Sequence, residues 1–364
     1  MILGKEQELA LSGRRGPAVE WAMGHLVKLG DREGSSRLIP VRSVHLPNWC
    51  TVDSPEAWKW LCSLTGKIAL PFTANPRGPG DIVAEERKRL LEGWRLQSNY
   101  SFTCTPYLSG NHPSRDQVIA WGGRAASSFA NSILGARTEV ESFETAVASA
   151  ITGLTPERGL HLEENRQATV AVTVPKGGGT IDYPLLGWTL SRELSGEIPL
   201  LCGVAPTFDE AKRLALAMNA LAEIPLFRMQ RGSVPPAGMQ MMEVGKDSLS
   251  TNDLGSPDLI ILGCPHMSEQ DINRWSKKLA DRAPSNIEAW FFTSRLCLDK
   301  CPIFGDVLRK RGHVFVDECP LGMREELVGR AIACDSPSLV ECLRNSGLRA
   351  SYRSEAEMHQ LLTI

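Results

Sequence analysis

Three loops in the last third of the chain carry the residue types best suited to chemistry: Gly263-Cys264-Pro265-His266, Ser294-Arg295 and Asp317-Glu318-Cys319. Each follows a short run rich in β-branched or aromatic residues, at 258–262, 287–293 and 313–316 respectively. A cysteine thiolate is both a nucleophile and a soft metal ligand. A third cysteine of similar setting, Cys104, lies in Ser101-Phe102-Thr103-Cys104-Thr105-Pro106-Tyr107-Leu108, where a strand-like run meets a proline turn. A single cysteine is most often a small buried hydrophobe. Three at strand ends favour a chemical role instead. Cys297 and Cys301 are closely spaced, but no second pair follows at zinc-ribbon spacing, so a structural zinc site is weakly indicated. Cys50, Cys62, Cys202, Cys334 and Cys342 stand in apolar or helical settings and read as core.

The elements that must position these loops follow from periodicity. Strand-like runs alternating with helical segments at 269–282 and 306–311 imply a parallel sheet. Ligands of such sheets bind outside the carboxyl ends of the strands, so the three loops belong on one rim. Upstream, residues 9–30 read as a helical hairpin, with Val19, Met23, Leu26 and Val27 at helical spacing. Runs at 37–46 and 67–72 flank a helical segment at 55–64, again in β-α-β order. Further helices are expected at 143–152 and 209–222. Gly-rich 176–180 and the stretch 231–253 read as loops. The expected organisation is an α/β fold with an N-terminal lobe at 1–230, a linker at 231–256 and a C-terminal lobe at 257–364.

Composition narrows the function. The 364 residues carry a formal charge of -2 and are 42% hydrophobic, which fits a compact soluble protein rather than a disordered or fibrous one. With no dense Lys/Arg run the chain lacks the electrostatic footprint of a nucleic-acid binder. No apolar segment is long enough to span a bilayer, and residues 1–23 lack the apolar core of a signal peptide. A cytoplasmic protein acting on a small molecule is expected, with its ten cysteines reduced.

Taken in order, the motifs resemble those of the aconitase X family. They include Thr103-Cys104-Thr105-Pro106-Tyr107-Leu108, Ile119-Ala120-Trp121 and Ala130-Asn131-Ser132-Ile133-Leu134-Gly135-Ala136-Arg137-Thr138. They continue through Ile151-Thr152-Gly153-Leu154-Thr155-Pro156 and His161-Leu162-Glu163-Glu164-Asn165-Arg166 to Gly263-Cys264-Pro265-His266, Thr293-Ser294-Arg295 and Asp317-x-Cys319. Ser43-Val44-His45 and Thr73-Ala74-Asn75-Pro76 fit as well, so the resemblance covers nearly the whole chain.

The resemblance implies aconitase-like lobes with parallel sheets flanked by helices, and a dehydratase of cis-3-hydroxyproline or phosphomevalonate type. It also implies an iron-sulfur cluster on Cys104, Cys264 and Cys319. A 4Fe-4S cluster is expected, with 2Fe-2S and 3Fe-4S left open. Three thiolates would leave one iron open to a substrate hydroxyl. His45, His266 and Ser294 become candidates for catalysis. Thr73, Asn75, Arg124, Asn131, Ser132, Arg137, Arg166 and Arg295 become candidates for substrate binding. For Arg137 and Arg166 an internal salt bridge is the competing assignment.

The chain departs from the family in places. The family's A-W-x-E-S-S-A reads Ala120-Trp121-Gly122-Gly123-Arg124-Ala125-Ala126, so an acid and two hydroxyls are missing. The Gly-rich element expected after His45 is replaced by Ser54-Pro55-Glu56-Ala57-Trp58, and 333–343 is a weakened form of the last motif. The swivelling domain that carries the family's catalytic serine has no counterpart in the sequence, which implies a small partner subunit. A glycine in place of the acid, with a cation at the next position, predicts a hydroxy-acid substrate with an additional carboxylate or phosphate. A degenerate subunit retaining only a binding or scaffold role is the alternative.

Overall fold

The computed structural model describes residues 1–47, 70, 72–76, 102–174, 181–244, 255–282 and 285–363. The helix expected at 55–64, the loop at 176–180, and Cys50 and Cys62 lie outside these residues. The chain divides into two units, Met1–Gln167 and Ala168–Ile364.

The first unit opens with the expected helical hairpin. Helix α1 (Lys5–Leu11) and helix α2 (Pro17–Arg32) are joined through Gly13 and Gly16, whose positive φ angles of 77° and 93° make the turn. Pro17 suits the first turn of α2, where its missing N–H has no partner to lose. The run at 37–46 forms two short strands, β1 (Leu38–Pro40) and β2 (Val44–Leu46). β2 is the middle strand of a parallel sheet between β3 (Phe72–Ala74) and β4 (Ala120–Trp121), and Phe102 extends the sheet by bridging Ala74. Helix α3 (Arg124–Phe129) follows β4 and continues into a π-helical turn, Ala130–Leu134. Helix α4 (Phe143–Thr152), capped by Ser142, packs against α2, and β5 (Leu154–Pro156) pairs antiparallel with β1. Leu26, Val44, Leu46, Ala146 and Val147 form the centre of this core. Truncating a side chain such as Leu26 to Ala costs about 2–5 kcal/mol in such a setting.

The second unit contains two parallel sheets. Strands β6 (Val170–Thr173), β7 (Pro199–Cys202), β8 (Arg228–Gln230) and β9 (Gln240–Glu243) stand in the order β8-β7-β6-β9. The stretch 231–256, expected as a linker, thus contributes a strand that pairs with β6 inside the second unit. Helix α5 (Tyr183–Glu193) packs on helix α6 (Phe208–Ala217). Thr207 and Glu210 close a capping box at the start of α6.

The other sheet is built from the runs noted in the sequence: β10 (Leu259–Met267), β11 (Glu288–Thr293), β12 (His313–Val316), β13 (Ala331–Cys334) and β14 (Arg349–Tyr352). Their order is β12-β11-β10-β13-β14, all parallel. Helices α7 (Glu269–Leu279), α8 (Arg295–Asp299), α9 (Pro302–Arg309), α10 (Arg324–Leu327), α11 (Pro337–Asn345) and α12 (Glu355–Leu361) make the connections. The order reverses between β10 and β13, the place where such sheets open a crevice. Cys202 and Cys334 are buried as expected, and so are Cys297 and Cys301, but Cys342 is exposed. On α11 the inward positions are 337–340 and 343, which turns residue 342 to the outer face.

No described helix is long and apolar enough to cross a membrane.

Candidate functional site

In the first unit, parallel strands bring four sequence-distant segments to one rim. His45 lies on β2 and pairs in register with Thr73 of β3, Asn75 follows β3, Cys104 follows the Phe102 bridge, and Gly122-Gly123-Arg124 follow β4. His45 is fully buried and both ring nitrogens are engaged, Nδ1 with Thr73 Oγ1 and Nε2 with Asn75 Oδ1, each at 2.9 Å. Burial pushes its pKa down to about 4, against the pull of the Asn75 and Thr73 contacts, so the ring is neutral near pH 7. Asn111, absent from the sequence-based set, donates from Nδ2 to Val44 O at 3.0 Å and to Thr73 Oγ1 at 2.9 Å. Cys104 is partly exposed and Arg124 is exposed at the first position of α3.

Asn131, Arg137 and Arg166 are brought together, but by one another. Arg166 is buried and donates to Asn131 Oδ1 and to the carbonyls of Leu160, Asn131 and Ala136. Asn131 also clasps Thr138 through its N–H and C=O. Arg137 pairs with Asp116 at 2.9 Å and Glu163 at 2.6 Å, and donates to His161 O. The internal salt bridge weighed from the sequence is what Arg137 makes. Ser132 is partly exposed on the π-helical turn, a distortion often found at functional sites.

In the second unit the loop of Cys264 is an excursion within β10. Leu262 pairs with Phe291 and Met267 with Thr293, so residues 263–266 stand opposite Phe292 alone. Gly263 begins the excursion at φ 104°, and a Cβ there would lie 2.2 Å from the Phe292 carbonyl oxygen, so no side chain fits. Lys212, fully buried on α6, holds the far end of the loop by donating to His266 O at 2.9 Å. Its charge is met by Asp271 Oδ2 at 2.6 Å and Asp209 Oδ1 at 3.5 Å. Asp271 also pairs with Arg213 and Arg274, and these cations hold its carboxyl well below the usual range despite its burial.

The His266 ring reaches across to the other cysteine loop, its Nε2 donating to Glu318 O at 2.8 Å. Burial lowers its pKa to about 4, so it is neutral there. Asp317, one residue before Glu318, is buried at φ 62°, a left-handed conformation unusual for anything but Gly, Asn or Asp. Its Oδ1 accepts from Arg295 N at 2.8 Å and its Oδ2 lies 3.4 Å from Arg295 Nε. Ser294 is buried and caps α8 by accepting from Cys297 N. Arg295 is exposed, and Cys264 and Cys319 are partly exposed. The three loops predicted to share a rim are therefore tied to one another by hydrogen bonds.

Asp335, after β13, was also missed. Its Oδ2 accepts from Gly263 N at 3.2 Å, and burial pushes its carboxyl up to about 6 although Arg213 pulls the other way. It lines a cavity of about 530 Å³ with Asp182, Arg213, Trp275, Lys278 and Tyr352. Among the described residues, no three His, Cys, Asp or Glu side chains gather as an ion site within either unit. Of the three candidate cysteines, Cys104 belongs to the first unit, Cys264 and Cys319 to the second.

The aconitase X first domain matches residues 1–164. The phosphomevalonate dehydratase large subunit of Thermococcus kodakarensis is 34% identical over 347 residues, covering 88% of this chain and 89% of that one. The cis-3-hydroxy-L-proline dehydratase of Hypocrea jecorina is 29% identical over 313 residues, 75% of this chain but 52% of that longer protein. The crystal structure of Thermococcus kodakaraensis aconitase X in its holo-form superposes with a TM-score of 0.89 at 30% identity, over 99% of both chains. With this degree of likeness along its length, the chain belongs to the aconitase X family.

Proposed function

We propose that this chain is the large subunit of an iron-sulfur hydro-lyase that removes water from a small hydroxylated carboxylate. The observation that carries the proposal is the pair of partly exposed thiols, Cys264 and Cys319, on loops joined by the His266 to Glu318 hydrogen bond, in a chain whose relatives are named dehydratases. The donor set fits an iron-sulfur cluster. Cys104, Cys264 and Cys319 are partly exposed at strand ends, whereas Cys202, Cys297, Cys301 and Cys334 are buried. Burial pushes the thiols of those four up, away from ligation. When bound by three thiolates, a cluster supplies an iron with an open position that acts as a Lewis acid toward a substrate hydroxyl.

The chain's own residues then bind and orient. Arg124 offers an exposed guanidinium beside Gly123, and Arg295 another beside Asp317; both suit carboxylate or phosphate oxygens. Asn75 and Ser132 offer neutral hydrogen bonds. His45 and His266, neutral and already bonded through ring nitrogens, support the site by holding Asn75 and the Cys319 loop. Ser294 does the same through α8. The base that takes the substrate's carbon-bound proton is assigned to a small swivelling subunit, as the large-subunit names of the relatives suggest for them. The test is dehydration of phosphomevalonate and of cis-3-hydroxy-L-proline by the anaerobically reconstituted chain, with and without a family small subunit. Turnover of one of them only with the small subunit supports the proposal. No turnover of either by a fully iron-loaded complex would favour a non-catalytic role.

A further inference from the structure

β13 leaves the edge of β10 just before the cysteine excursion begins. The two strands pair through Leu259↔Ile332, Ile260↔Ala333 and Ile261↔Cys334, and Asp335 N still donates to Ile261 O at 3.3 Å. Main-chain groups that face one neighbouring strand recur at every second residue, so the next N–H on that edge belongs to Gly263. It donates to Asp335 Oδ2 at 3.2 Å, and a side chain thus closes the ladder where a carbonyl would have continued it. At φ 104° Gly263 has left the regular strand, yet its N–H still needs an acceptor in a buried sheet.

The surroundings of this carboxyl bear on the next residue too. Burial raises it to about 6 and Asp271 adds to the rise, whereas Arg213 and the backbone N–H groups of Gly263 and Cys264 favour the ionised form. Oδ1 makes no hydrogen bond, so the anchor is the Oδ2 bond to Gly263, with the Cys264 N–H as an electrostatic neighbour. The far end of the excursion is held separately. Lys212 Nζ donates to His266 O at 2.9 Å, and Thr293 Oγ1 donates to Met267 O at 2.8 Å. Lys212 and Arg213 are successive residues of α6, which runs between β7 and β8 of the other sheet in this unit. One helix therefore bears on both ends of the loop, directly at His266 and through Asp335 at Gly263.

We propose that Asp335 is a positioning residue for Cys264: its carboxyl takes the place of a ladder carbonyl at Gly263 and, with Lys212 at the opposite end, fixes the backbone that carries the thiol. Use of that thiol as an iron ligand rests on the hydro-lyase reading; the anchoring does not. Thiolates from separate segments share one cluster only when each is held where the iron can be reached, and residues behind the ligands do the holding.

Amide hydrogen exchange in the full-length, iron-free chain reads the anchor without reference to a cluster. In the wild type the Gly263 amide should be protected to within about tenfold of the ladder amides at 259–261. Asp335→Ala should speed exchange at Gly263 and Cys264 about tenfold more than at 259–261, and should raise the rate at which iodoacetamide alkylates Cys264 relative to Cys104. Asp335→Asn keeps an acceptor oxygen without the charge and should restore most of both. After anaerobic reconstitution, Asp335→Ala should release iron to a chelator about tenfold faster than the wild type, with Asp335→Asn close to the wild type. A wild-type Gly263 amide that exchanges as an unprotected one overturns the anchor, and this measurement decides the matter if Asp335→Ala fails to fold. Equal exchange in Asp335→Ala and Asp335→Asn, or a uniform rise along 259–264, overturns it too, because either marks a general loss of stability rather than a lost acceptor. Faster exchange with unchanged iron release overturns the positioning of the ligand. If the wild type takes up no iron, the hydro-lyase reading fails and takes the ligand role with it, while the exchange result still decides the anchor.

Discussion

His266 Nε2 donates to the backbone carbonyl of Glu318 at 2.8 Å, and this one bond joins the loop of Cys264 to the loop of Cys319. The two loops are more than fifty residues apart in sequence, so the bond makes their spacing a property of the folded sheet rim. His266→Ala removes the donor from a partly buried carbonyl and empties a ring-sized volume, which should destabilise the protein by about 3 kcal/mol. Urea unfolding measures it. A change below about 1 kcal/mol would mean that the loops are held together by something else.

Lys212 should be harder to replace than any surface lysine. Its ammonium is fully buried between Asp271, Asp209 and the His266 carbonyl. Lys212→Met leaves those acceptors without their buried cation, and breaking such a pair costs about 3–5 kcal/mol. The same unfolding measurement applies, and Lys212→Met with near wild-type stability would contradict the network's importance.

Asp317 occupies left-handed backbone at φ 62°. Asn tolerates that conformation and keeps a carbonyl oxygen for Arg295 N, whereas a β-branched residue does neither. Asp317→Asn should therefore cost less than about 1 kcal/mol and Asp317→Val more than about 2 kcal/mol. Equal losses for the two variants would rule out backbone conformation as the reason for an acid at this position.

The buried His161 gives a pH signature within the first unit. Burial first, and then the nearby Arg158 cation, lower its pKa to about 4. Because the folded state holds the ring neutral, its contribution is fully present above the unfolded pKa of 6.5 and is lost as pH falls toward 4. His161→Gln should lack this loss, making the drop in stability between pH 7 and pH 4 smaller by on the order of 3 kcal/mol. Identical pH profiles for wild type and variant would show that His161 titrates normally in the fold.

Much of the second unit was legible because its strands are apolar runs of a length that only a buried parallel sheet explains, and each run ends in a loop of polar residues. Phe143–Thr152 was read to the residue because Ser142 and Gly153 punctuate it. Side-chain partners were less legible. Lys212 looks like a solvent-facing position on an amphipathic helix, and nothing local reveals that α6 turns it inward onto Asp271. Asn111, Asp317 and Asp335 act through residues 22 to 72 positions away, at Thr73, Arg295 and Gly263 respectively, so their roles appear only once strands are in register. Arg166 reads as a binding residue because its guanidinium suits anions, and Asn131 because it offers neutral hydrogen bonds, yet tertiary packing engages them with backbone carbonyls and with each other. In the stretch 231–256, turn residues on either side mask the short strand β9.

An altered binding pocket should show in the response of anions to Arg124. If the guanidinium meets a substrate carboxylate or phosphate, Arg124→Ala removes a charge-assisted bond of about 1.5–3 kcal/mol and weakens phosphomevalonate binding about tenfold or more. Unchanged affinity for every anion, or efficient turnover of cis-3-hydroxy-L-proline by the wild type, would return this position to solvent decoration.

The central claim is that Cys104, Cys264 and Cys319 together hold an iron-sulfur cluster, and iron and acid-labile sulfide content after anaerobic reconstitution tests it most directly. The wild type should take up iron and sulfide in similar amounts and absorb in the visible. Cys104→Ser, Cys264→Ser and Cys319→Ser should each lose most of both while unfolding at nearly the wild-type urea concentration. A colourless wild type that binds neither iron nor sulfide, or three serine variants that load as fully as the wild type, would contradict the account.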